Sequence, residues 1–143
     1  MENKADKLEN VNQPEKDNSK FNWVAERSSC SLPKVFQALR AQVEEDVKTR
    51  NAQRPKNSPY EFDVKESGSD FTVLYAAKDV SRSVIFTLAE NGILVRGGEG
   101  NQMFEVTLNF TADGECQLIV NEEPRDFWQV RRMALEELMF PGY

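Results

Sequence analysis

Histidine is absent from all 143 residues. Its absence removes Ser-His-Asp triads, Cys-His pairs and almost every zinc site built from imidazole. Cysteine is scarce as well, with only Cys30 and Cys116, and two thiolates cannot fill a four-coordinate structural zinc site. A small secreted fold usually carries more cysteines, so both are expected to be reduced. Cys30 then reads as a partly buried structural thiol near a helix start, Cys116 as plain core, and the sequon Asn109-Phe110-Thr111 as ordinary strand. No apolar run approaches the length that spans a bilayer, and the opening residues MENKADKLEN lack an apolar leader core. The expectation is a cytoplasmic chain with no membrane association. The net charge of −6 repels phosphate and argues against a nucleic-acid partner. Carboxylates, Lys, Tyr and Arg remain for any chemistry, so the reading leans away from an enzyme, and neither a cofactor nor a resident metal is expected.

Residues 1–20 are polar, with Leu8 and Val11 the only sizeable aliphatics after Met1. Such a segment cannot bury enough surface to offset its ordering entropy, so it reads as a disordered tail. Residues 21–143 are expected to form one α+β domain, entered at the aromatic pair Phe21 and Trp23. From Ser31 to about Asn51, Leu32, Val35, Phe36, Leu39, Val43 and Val47 recur at helical spacing and form one stripe. Two prolines in the polar stretch Asn51–Pro59 mark a loop. Six strictly alternating segments follow: Tyr60–Lys65, Phe71–Tyr75, Val84–Leu88, Ile93–Val95, Phe104–Phe110 and Cys116–Val120. Short turns at Ser67-Gly68, Asn91-Gly92 and Asp113-Gly114 make an antiparallel meander the natural arrangement. Pro124 is expected at the start of a last helix, whose apolar face runs from Phe127 to Met139. The fold class is therefore a two-layer α+β sandwich in α-β6-α order, a six-stranded meander with both helices on one face.

Five features bear on function. Arg131 falls in the middle of the last helix's apolar arc and Asp46 just inside the first helix's stripe, a placement that suggests either an ion pair or an anion-binding cleft. Lys48, Arg50, Arg54 and Lys56 follow one another with no acid between them and form a candidate basic patch. Carboxylates gather at Glu44–Asp46, Glu61, Asp63 and Glu122–Asp126, in no spacing that resembles a calcium loop. Gly97–Asn101 lacks the lysine and following helix of a phosphate cradle, so it reads as a hairpin connection. A two-residue Asn91-Gly92 turn would set Leu88 opposite Val95 and Leu94 opposite Ala89. Leu74, Ile85, Leu94 and Ile119 then point away from the helices as an apolar cluster on the open sheet face.

The order helix, meander, helix over residues 31–139, with an acidic balance, resembles the frataxin arrangement. Leu94 stands where that family carries an exposed Trp, and no Pro follows it, so the resemblance is one of element order. It implies a carrier or regulator that binds metal weakly on carboxylates. The leading expectation is different: a small intracellular, non-enzymatic module that meets a protein partner, or a second copy of itself, through the open sheet face.

Overall fold

The computed structural model describes residues 20–142. Along the chain lie α1 (Trp23–Ser29), α2 (Leu32–Ala52), β1 (Tyr60–Ser67), β2 (Asp70–Ala77), β3 (Ser81–Leu88), β4 (Ile93–Gly97), β5 (Gln102–Phe110), β6 (Cys116–Val120), β7 (Glu123–Arg125) and α3 (Phe127–Met139). The expected tail lies outside the described residues apart from Lys20. Ser31 caps α2 by accepting the Lys34 N–H, and Pro33 occupies the first turn, where N–H groups lack helical partners. Val35, Phe36, Leu39, Val43 and Val47 are the residues that α2 buries. At its far end the Asn51 amide donates to the Phe62 carbonyl at 2.8 Å and accepts the Phe62 N–H at 3.0 Å, which ties α2 to β1.

The α+β class and the antiparallel meander are present, with seven strands in sequence order instead of six. The seventh corrects the reading of Pro124. Pro124 pairs with Ile119 in an edge strand, where a missing N–H is tolerated. The helix begins three residues later behind Asp126, whose N–H donates to Gln129 Oε1 at 2.8 Å, the reach-back half of a capping box. A third helix, α1, stands where only a docking point was expected.

The hairpin between β3 and β4 is also corrected. Ala89 N–H reaches the Gly92 carbonyl at 2.9 Å, so Glu90 and Asn91 form the turn. Leu88 faces Ile93, and Leu94 faces Thr87. The shift from the expected pairing is two residues, an even number, so every side chain keeps its face. Gly92 is needed for a different reason: a Cβ there would sit 2.9 Å from the Val106 carbonyl oxygen on β5.

Alternate strand residues from Phe62 to Val120 join the buried residues of α2 and α3 in one cluster. At its centre the Phe71 and Phe86 rings stack at 4.5 Å, a pair worth about 1 kcal/mol beyond its burial.

Cys30 and Cys116 are bonded to each other, with 5.4 Å between their Cα atoms. This overturns the expectation of two reduced thiols. Cys116 is exposed at the start of β6 and is not core, while Cys30 is buried. They meet because α1 lies against the β5–β6 end of the sheet. The Phe21 ring covers Gly114, and Arg27 sits over the Phe110 ring. Disulfides persist where the surroundings are oxidising, so a cytoplasmic location no longer follows from the cysteines. Among the described residues no helix is long and apolar enough to cross a membrane.

Candidate functional site

The outward side of the sheet carries the four residues singled out there. Thr72 faces Ile85 and Leu74 faces Ser83, while Ile85 faces Arg96 and Leu94 faces Thr87. Leu74, Ile85 and Leu94 are therefore diagonal neighbours on three successive strands, within reach of one another. Ile119 is not part of this stripe, because Thr107 and Glu105 of β5 stand between it and Leu94. All four are half-buried. Arg96 lies along the stripe and donates to Thr87 Oγ1 at 3.2 Å, so its stem runs beside Ile85. Asn109 of the sequon is exposed on this same face, its amide directed at Gln117.

Asp46 and Arg131 are brought together. Arg131 Nε donates to Asp46 Oδ2 at 2.6 Å and Nη1 donates to Gln42 Oε1 at 2.6 Å. Both side chains keep some solvent contact, 20% and 35% exposed for Arg131 and Asp46 respectively. With two donors already engaged, Arg131 is a clamp between α2 and α3 and is poorly placed to receive an anion. The basic run is dispersed. Lys48 pairs with Glu45 on the surface, Arg54 is directed to Asn51 and the Tyr60 carbonyl, and Lys56 is exposed.

Arg50 has a different setting. Its Nε donates to the Met139 carbonyl at 3.0 Å, serving the C-terminal end of α3. Its guanidinium lies over the Phe140 ring at 4.6 Å and near the Phe62 ring at 5.7 Å. No carboxylate among the described residues pairs with it.

Since Asp46 meets Arg131 and Arg50 meets Met139, α2 and α3 run side by side in the same direction. Between them lies a groove of about 400 Å³ with Leu135 and Met139 in its wall. Trp128 borders it and is 52% exposed, and Phe140 borders it at 38%. Trp128 was counted in the α3 apolar arc. At about 100° per residue it falls between Leu135 and Met139, both of which are buried, so the helical wheel carries no signal that marks Trp128 as exposed.

Among the described residues no three His, Cys, Asp or Glu side chains converge as a metal site. No protein-family model matches the chain, and no curated protein or solved structure does so at a significant level. The frataxin-like order of elements thus has no counterpart in those comparisons.

Proposed function

We propose that this chain is a non-enzymatic protein-interaction module whose contact surface is the groove between α2 and α3. The observation that carries this reading is that two exposed aromatic rings, Trp128 and Phe140, border one groove, whereas Trp23, at 63% exposed the more open ring, lies on α1 and does not line it. Exposed Trp and Arg beside apolar walls are the residue types that anchor interfaces. Arg131, held by Asp46 and Gln42, fixes the spacing of the two helices and so the width of the groove. The disulfide supports a working compartment that is not reducing.

A second reading keeps the outward sheet face as the contact surface. It is supported by the diagonal stripe of Leu74, Ile85 and Leu94, which alternates along the strands with the residues that cluster with α2 and α3. One experiment separates the two. Tagged wild-type chain, Trp128→Ala with Phe140→Ala, and Ile85→Lys with Leu94→Lys are used to capture partners from native lysate, and light scattering gives each oligomeric mass. Proteins captured by wild type and the sheet variant but lost by the groove variant support the groove. The reverse pattern supports the sheet.

A further inference from the structure

We infer that the occupant of the α2–α3 groove is an acidic linear peptide segment, with an apolar side chain set between Trp128 and Phe140 and a carboxylate on Arg50. The inference rests on the groove reading and adds the chemistry of the partner.

Length is the first argument. From Trp128 to Phe140 is twelve residues of helix, about 18 Å at 1.5 Å per residue. An extended segment of about six residues spans that distance, whereas a small anion would fill only one end. Leu135 and Met139 at the groove floor are already buried, and the apolar surface left open is that of the Trp128 and Phe140 rings, which an apolar side chain can cover and an inorganic anion cannot.

Charge is the second argument. Residues 57–143 carry seven Lys/Arg against fifteen Asp/Glu, while residues 21–56 carry seven against four. The groove lies where the basic part of the chain meets the acidic part. Three arginines line it against two acids, Asp46 and Glu136. Those acids are already matched, Asp46 with Arg131 and Glu136 with Arg132, which leaves Arg50 as the groove cation with no carboxylate partner among the described residues. Its Nε is engaged by the Met139 carbonyl, and its Nη donors are not buried without partners. Two Nη donors side by side suit a carboxylate. The Phe140 ring below keeps the guanidinium plane fixed, so little is lost in ordering it. From Val47 to Tyr60 the chain has no acid to compete with that carboxylate for Arg50.

The test uses three fluorescein-labelled hexapeptides in which leucine alternates with glutamate, glutamine or lysine, with binding followed by anisotropy on the full chain. The glutamate peptide is expected to bind about tenfold or more tightly than the glutamine peptide, the value of one charge-assisted hydrogen-bonded contact. The lysine peptide is expected to be weakest. Arg50→Gln removes that preference, Arg50→Lys retains part of it, and Lys56→Gln, in the same basic run but outside the groove, leaves it unchanged. Circular dichroism confirms that each variant is folded. Three outcomes overturn the inference: no peptide bound by wild type, glutamate and glutamine peptides bound alike, or an equal loss in Lys56→Gln, which would mean diffuse attraction. If the two peptides bind alike yet both are lost in Trp128→Ala, the groove reading stands and only the acidic occupant falls. If the glutamate peptide binds Trp128→Ala as well as wild type, both fall together.

Discussion

Asn121 and Glu122 both adopt positive φ, 53° and 68°, and close the two-residue hairpin that pairs Val120 with Glu123. Asparagine accepts that conformation with little strain, whereas glutamate has no side chain suited to it. Glu122→Gly is therefore expected to stabilise the domain by about 0.5–1 kcal/mol, the left-handed strain relieved less the added chain entropy. A urea titration with unchanged slope and a higher midpoint checks this; a lower midpoint shows that the Glu122 side chain has a role of its own. Arg131 is the opposite case, a residue whose oddity was legible. A helical wheel places it in an apolar arc and places Asp46 in the facing stripe, and the two side chains meet at 2.6 Å. Since both retain solvent, Arg131→Ala is expected to cost about 2 kcal/mol, between an exposed pair and a fully buried one. A double-mutant cycle with Asp46→Ala should return a coupling of about 1 kcal/mol; a value near zero would assign the loss to Gln42 or to packing. Gln42 itself was not legible, because a glutamine on a helix surface carries no signal of its partner.

At the level of elements, period-2 alternation made six strands readable, since each has one face in the core and the other outside. β7 was not readable, because three residues containing a proline carry no period. α1 was missed for a related reason: it buries no residue, so no apolar stripe marks it. Its tie to the domain is the Cys30–Cys116 bond together with Phe21 over Gly114 and Arg27 over Phe110. Composition alone treats two cysteines 86 residues apart as unrelated, and only the docking of α1 beside β6 brings them together. The main core cluster contains neither cysteine. Replacing Cys116 by Ser is thus expected to lower stability by about 2–4 kcal/mol and to loosen α1 while the sheet persists. Hydrogen exchange reads this directly. Amides of residues 23–29 should lose protection, and those of β2 to β5 should keep theirs apart from a uniform shift. Loss of sheet protection before that of α1 would mean that the bond supports the core itself.

Across the whole molecule the two candidate surfaces differ in how their apolar side chains are kept from water. On the sheet, Leu74, Ile85 and Leu94 are half-buried by their own neighbours, and Arg96 runs along the stripe to Thr87. Scattered apolar groups of this kind occur on ordinary surfaces and need no partner. At the helices, Trp128 and Phe140 stand exposed beside a groove that nothing in the described chain fills. Lysine at positions 85 and 94 would keep its stem on the sheet and lift its ammonium into water, so the double variant Ile85→Lys with Leu94→Lys is expected to fold. Its cost should be about 1–2 kcal/mol, the scale of strand and cross-strand terms on a half-buried face. Its mass by light scattering should equal that of wild type, and so should its affinity for the acidic hexapeptide once salt screens the added charge. The added charge gives the measurement a built-in control: two lysines raise general attraction for an acidic probe, so any gain that disappears at high salt is diffuse and leaves the groove result intact. A fall in mass, or captured partners lost with the fold preserved, would instead make the sheet face the working surface and leave the groove without a role.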